Sequence, residues 1–360
     1  MWKEVRTHQF PKSISQLTYV VVEIVLADGR IVNASATENA DLFWAVRGAG
    51  ASFGVITKFI VRTEPSPDNI VEYRYSFTTG RWTDMADVFK SWQKFIAATD
   101  LSENFASEAV INPLGLVISG TFFGTQAEFD QLALRPDFPL AHNTGSSTTV
   151  LDDWLGGLTH WAKNVALRLG GGIPARAYTK TLTFSGNEKD RIPDDVVDKM
   201  FAYIERTAKD TLIWFVIFDL AGGQVNKVPM DATAYAHRDA LFYMQSYAVS
   251  VRSSPVSQTT KKFLSGLTDL IVHEMTIDDG HYTDYGAYPG YVDLEIKDAQ
   301  KAYWRGNLPR LEQVKAKYDK GDVFRNPQSV RPGGKEVPYT VPEWARAGGR
   351  SAPWWMRLLG

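Results

Sequence analysis

The chain has 360 residues, with 39 Lys+Arg against 41 Asp+Glu, a formal net charge of −2 and no cysteine. That balance lacks the basic surplus of a general nucleic-acid binder, and the absence of cysteine excludes disulfides, thiolate metal sites and a cysteine nucleophile from this chain. Hydrophobic residues at 44% and charged residues at 22% are the composition of a folded protein; at about 150 residues per domain the length suggests roughly two domains.

The first residues, MWKEVR, have no apolar signal region, so a cytoplasmic chain is expected. No membrane span is expected either, because the longest apolar runs, at Val20–Val22 and Leu212–Phe218, fall far below about 18 residues. The aromatic content of 11 Trp, 15 Tyr and 19 Phe serves mainly a core, and it also suits a pocket for a planar or sugar-like small molecule.

Val20, Val22, Ile24 and Leu26 alternate ahead of Asp28-Gly29, and Ile31-Val32 begins a return strand, which predicts a β-hairpin over 18–35. A short helix follows over Asn39–Arg47, with Asn39 or Asp41 as its cap. A glycine-punctuated turn covers Gly48–Gly54, then a strand runs from Val55 to Thr63, and Pro65-Ser66-Pro67 ends the first region. Further on, strands are predicted at Tyr73–Thr78, Val117–Phe123, Ala177–Phe184, Ile213–Leu220 and Leu241–Val251. Helices are predicted at Thr83–Ala98, Gln126–Leu134, Val196–Thr207 and Ser257–Glu274. This is an α+β pattern, an antiparallel sheet covered by helices on one face. A tyrosine-rich stretch from Asp278 to Tyr291 precedes helices at Asp298–Trp304 and Leu308–Tyr318, and the ordered core is expected to end at Pro332-Gly333-Gly334, with a loosely attached tail at 337–360.

Two segments could carry chemistry. Closely spaced glycines let backbone N–H groups approach a phosphate or ribityl chain; the turn at 48–54 precedes a strand, so it is no Rossmann loop, and on these residues alone an ordinary tight turn is the favoured reading. A tyrosine of the 282–291 stretch could act as a base if a cation or an electron-poor ring stood beside it. A loop stapled by aromatic packing is the alternative. His237 and His281 read as structural, Gly170-Gly171-Gly172 is an isolated run, and no hydrolase or paired metal motif is present.

Taken together, several segments resemble the berberine bridge enzyme-like FAD-linked oxidoreductases. Asp41–Thr57, DLFWAVRGAGASFGVIT, is similar to the end of that family's PCMH-type flavin domain. Tyr303–Leu311, YWRGNLPRL, and Asp322–Val330, DVFRNPQSV, are similar to its C-terminal motif. Tyr288–Asp293, YPGYVD, matches its active-site tyrosine segment, and Tyr235–Gln245, YAHRDALFYMQ, matches a strand of its substrate domain.

The resemblance implies a division into an atypical segment at 1–17, the end of a flavin domain at 18–70, a substrate domain at 71–280, a returning segment at 281–332 and a tail at 333–360. It implies that Gly50, Ser52, Phe53, Gly54, Val55 and Ile56 line the cofactor and that Asn307, Asn326 and Gln328 support it. Tyr291 would take a proton from a substrate hydroxyl, with Tyr288 beside it. The implied activity is oxidation of a secondary metabolite by hydride transfer to FAD, in a biosynthetic pathway. No Gly-Gly-His segment is found and Cys is 0, so FAD is expected to be held without covalent attachment. Gly290 stands where the family has asparagine. Two alternatives stay open: a flavin-free binding or cyclase-like protein, and a partner chain that supplies the remaining half-domain.

Overall fold

A computed structural model describes residues 19–63, 65–78, 80–138, 144–151, 154, 156–157, 176–186, 191–250, 255–277, 286–326 and 328–333. The glycine run at 170–172, His281 and most of the tyrosine stretch (278–285), the segment 1–17 and the tail lie outside these residues.

Two antiparallel sheets organise them. The smaller has the order β2-β1-β3, from β1 (Tyr19–Val25), β2 (Ile31–Ser35) and β3 (Val55–Val61). Its hairpin turns at Asp28-Gly29, where Asp28 accepts from the Arg30 backbone and guanidinium. Val22, Ile24, Leu26 and Ala34 are buried beneath α1 (Ala40–Ala49) and α7 (Leu308–Tyr318) together with Phe43, Trp44, Leu311 and Val314. The predicted capping differs. Asn39 occupies the cap position in a left-handed conformation, and its side-chain amide donates to the Asn33 carbonyl instead of accepting from the helix.

The larger sheet has seven strands in the order β7-β4-β6-β5-β9-β10-β8. These are β4 (Ile70–Phe77), β5 (Phe105–Asn112), β6 (Gly115–Phe122), β7 (Gly145–Leu151), β8 (Arg176–Ser185), β9 (Trp214–Leu220) and β10 (Ala240–Ser250). One face is closed by α2 (Ala86–Ile96), α4 (Asp194–Arg206) and α5 (Gln258–Ile277), whose apolar stripes meet a core of aromatic side chains. Phe89, Trp92, Phe201, Trp214, Phe218, Phe242 and Phe263 are fully buried there, and the Trp92 indole donates to Ser107 Oγ at 2.9 Å. The short α3 (Gln126–Ala133) starts on a capping box between Thr125 and Glu128. Two strands, β5 and β7, were absent from the predicted set. β5 is interrupted by small residues and a glutamate, and β7 is a largely polar edge strand, so neither shows a long apolar run. α6 (Ala299–Trp304) precedes α7.

Candidate active site

The alternation of β9 and β10 creates the site. Trp214, Val216, Phe218 and Leu220 point into the helix-covered core, as do Phe242 and Met244, so Asp219, Tyr243 and Gln245 point to the opposite face. The register sets Tyr243 opposite Asp219 on one side and Thr183 on the other. Across this face lies the segment 286–296, with Tyr288-Pro-Gly-Tyr291 closed as a turn by the Tyr291 N–H donating to the Tyr288 carbonyl at 2.9 Å.

Tyr291 donates its hydroxyl to Asp219 Oδ2 at 2.8 Å, and the Gln245 amide donates to the same oxygen at 3.0 Å. Asp219 is 3% exposed, so these donors matter: a buried carboxylate is tolerated only when it is hydrogen-bonded. Tyr288 meets Tyr291 edge to face at 5.0 Å between ring centres and tilts against Tyr243 at 5.2 Å. The hydroxyls of Tyr235 and Tyr243 are hydrogen-bonded to each other. The sequence pointed to a cation or an electron-poor ring beside the phenol; among the described residues the group bonded to the Tyr291 hydroxyl is a carboxylate. A phenol that donates to a carboxylate can pass its proton on while taking another, so no standing phenolate is needed. Asp219 and Gln245 were not singled out in the sequence; the only available signal was their period-two phase in strands whose other phase is core.

Polar contacts, most of them buried, fix the height of this segment. Thr179 Oγ1 donates to the Val292 carbonyl at 2.6 Å, and Lys180 pairs with Asp293 at 3.0 Å. Tyr303 accepts from the Asp293 N–H at 3.2 Å and donates to Gln328 Oε1 at 2.7 Å, while the Gln328 amide returns to the Asp293 carbonyl. Burial pushes the Tyr303 phenol up to about 12, so it remains a donor at all ordinary pH. Asn326 accepts from the Gln328 N–H at 3.1 Å.

The glycine turn lies elsewhere, on the small sheet. A 3₁₀ turn spans Gly50–Ser52, Phe53 is fully buried, and Val55 and Ile56 open β3. Ser52 accepts from the Val330 N–H through Oγ at 3.2 Å and from the Lys315 ammonium through its carbonyl at 2.7 Å. A side chain at Gly54 would meet the Val25 carbonyl at 2.4 Å, and one at Gly48, where φ is +149°, would meet the Tyr235 nitrogen at 2.2 Å. The close approach at Gly48 joins the turn to the loop before β10: the Tyr235 N–H donates to the Arg47 carbonyl at 3.2 Å. Asn307 reinforces the junction by donating to the carbonyls of Met230 and Thr233 at 2.9 and 3.1 Å, and the Trp304 indole donates to the Gly48 carbonyl at 3.1 Å. Thus Tyr288 and Tyr291 come together with Asp219, Gln328 and Asn326 sit behind them, and Asn307 sits with the glycine turn.

The family described as "Berberine and berberine like" matches residues 287–331, the span that holds Tyr288, Tyr291, Asn307, Asn326 and Gln328. The FAD-linked oxidoreductase sorD of Penicillium rubens is 34% identical over 313 residues, covering 86% of this chain and 64% of that protein. The chain belongs to the berberine bridge enzyme-like FAD-linked oxidoreductases. The xylooligosaccharide oxidase of Thermothelomyces thermophilus is 31% identical, with 86% of this chain and 62% of that one covered. The solved glucooligosaccharide oxidase of Acremonium strictum superposes with a TM-score of 0.73 at 30% identity, over 87% of this chain and 66% of that one. The chain therefore spans just under two thirds of the length of these relatives. The α+β architecture matches theirs, and no helix among the described residues is long and apolar enough to cross a membrane.

Proposed function

We propose that this chain forms the substrate-side half of a flavin-linked oxidase site that removes hydrogen from a small hydroxylated molecule. The observation that carries this reading is the Tyr291–Asp219 hydrogen bond on the sheet face opposite the helices. Tyr291 takes the proton of the substrate hydroxyl and hands its own to Asp219, and Gln245 steadies the carboxylate through the exchange. Tyr288 and Tyr243 wall the position beside the phenol. FAD, when bound, supplies the acceptor for the hydride, which no side chain can store. The glycine turn at 48–54, where the backbone approaches closely, fits one side of an anionic dinucleotide. With no cysteine in the chain, a cysteinyl link to the flavin is not available from these residues.

The relatives divide between carbohydrate oxidases and FAD-linked oxidoreductases such as sorD. The enclosed tyrosine cluster favours a planar or aromatic hydroxylated metabolite from a biosynthetic pathway. A second reading, a partner chain or further segment that completes the flavin-binding surface, is favoured by the exposed Val55, Ile60 and Val61 on the outer strand of the small sheet. The test is a visible absorption spectrum of the purified chain before and after addition of FAD, with the Tyr291→Phe variant in parallel. Flavin bands retained through gel filtration support the reading; a chain that stays colourless with FAD present removes it.

A further inference from the structure

A cleft of about 350 Å³ opens at one end of the seven-stranded sheet, between the end of α2, the start of β5 and the turn that joins β9 to β10. Voids in a packed interior seldom exceed a water molecule, and this volume falls in the range of small-molecule sites, about 300–1,000 Å³. Its apolar lining comes from Ile96, Leu101, Phe105, Leu220 and Leu241, and its exposed rim carries Glu103 and Asn226. Among the described residues no lysine, arginine or histidine lines it, so Glu103 is its one charged group. Asn226 spends its amide on the Ala240 carbonyl at 3.0 Å and keeps an acceptor oxygen. Glu103 ties the two walls together: its carboxylate accepts from the Lys227 ammonium at 2.5 Å and from the Gln224 amide at 2.6 Å, both on the turn. The ion pair is open to water, with Glu103 43% and Lys227 58% exposed, so it holds weakly and gives way to a competing cation. The turn itself relies on Gly222 and Gly223, at φ +121° and +57°. Ala221 and Val225 line the cleft and also pack with Tyr235, Tyr243 and Tyr288, so they form the partition between the cleft and the tyrosine cluster.

We infer that this cleft binds a small amine with an apolar body, an arylalkylamine, whose ammonium takes the place of Lys227 on Glu103. The charge balance decides the class. An anion would meet a carboxylate and no cation, and an uncharged apolar molecule would make no use of the Glu103 and Asn226 acceptors. A protonated amine supplies donors for them while its apolar part covers Leu101, Phe105 and Leu241. The site is separate from the Tyr291–Asp219 pair and does not rest on the flavin reading.

Calorimetric titration of the full chain with phenethylamine, against 3-phenylpropionate as an anion of similar size, tests it. Phenethylamine is expected to bind and 3-phenylpropionate to fail. Glu103→Gln is expected to weaken the amine about tenfold or more, the loss of a charge-assisted contact. Lys227→Met frees Glu103 from its present partner and is expected to tighten the amine, whereas a clasp with a purely structural role would weaken it or leave it as it was. Glu38→Gln, an exposed carboxyl beside β2, is expected to change nothing. These three side chains are exposed, so the variants are expected to fold, and the urea midpoint checks it. Asp219→Asn separates the cleft from the tyrosine cluster. Amine binding kept in Asp219→Asn and weakened in Glu103→Gln supports the cleft; the reverse places the amine against the tyrosines and overturns it. No phenethylamine binding by the native chain and Lys227→Met, equal binding of the anion, or binding by Lys227→Met no tighter than native also overturns it.

Discussion

Replacing Lys315 by methionine is expected to be among the most damaging single changes in the small-sheet half of the molecule. The ammonium is fully buried, pairs with Asp319 at 2.6 Å and Asp322 at 3.2 Å, and donates to the carbonyls of Ser52 and Phe324 at 2.7 and 2.9 Å. Methionine fills most of the volume but leaves the enclosed Asp319 carboxylate without a cation and Asp322 with Arg331 alone, at 2.9 Å, a loss of about 3–5 kcal/mol for a broken buried pair. Burial alone would raise the Asp319 carboxyl, but the Lys315 contact and the Val323 and Phe324 N–H groups win and hold it below its ordinary value. A carboxyl lowered on folding stabilises the protein above its unfolded value near about 4 and loses that contribution as pH falls through the folded value. The gap between the native chain and Lys315→Met is therefore expected to be widest at neutral pH and to narrow on acidification below about 4. Urea unfolding followed by tryptophan fluorescence at several pH values measures both. A loss below about 1 kcal/mol, the cost typical of an exposed pair, or a gap independent of pH, would refute the reasoning. Because Lys315 also holds the Ser52 carbonyl, the variant tests whether the glycine turn depends on this buried clamp.

Gly48→Ala is expected to cost about 3 kcal/mol, because the added carbon would lie 2.2 Å from the Tyr235 backbone nitrogen at φ +149°; a change within about 0.5 kcal/mol by chemical denaturation would contradict that. His237 is fully buried, and burial first, then the Arg305 charge, pushes it down to about 3. Between that value and about 6.5 the unfolded chain binds a proton that the folded chain refuses, so stability falls with falling pH by up to about 1.4 kcal/mol per pH unit. His237→Asn is expected to flatten this slope in parallel denaturation series, and an unchanged slope would rule the histidine out. Asp219→Asn keeps a hydrogen-bond partner for Gln245 and removes the proton acceptor, so any turnover is expected to fall about 10²–10⁴-fold with little change in unfolding midpoint; turnover at the native rate would remove the relay.

The sequence was most legible where local chemistry decides structure. Asp28-Gly29 between alternating apolar runs defines the first hairpin, and β4, β6, β8, β9 and β10 were legible as strands because aromatic and β-branched residues recur in them. β7 was missed because five of the seven residues of GSSTTVL are glycine or polar and exposed, and its strand form comes from pairing with β4. Asn39 failed as a side-chain cap because its Oδ1 accepts from the Tyr318 hydroxyl at 3.3 Å, a partner 279 residues away, and not from a helix N–H. Tyr291 and Tyr288 could be named from a resemblance, but their partner Asp219 lies 72 residues away and enters through strand register.

The most direct test of the account is anaerobic reduction of FAD by the purified full chain in the presence of aromatic and sugar alcohols, comparing the native chain with Tyr291→Phe. The account predicts bleaching of the flavin bands by the native chain, lost in Tyr291→Phe while FAD stays bound and the unfolding midpoint holds. Bleaching by Tyr291→Phe at the native rate, or a chain that takes up no FAD, would contradict it.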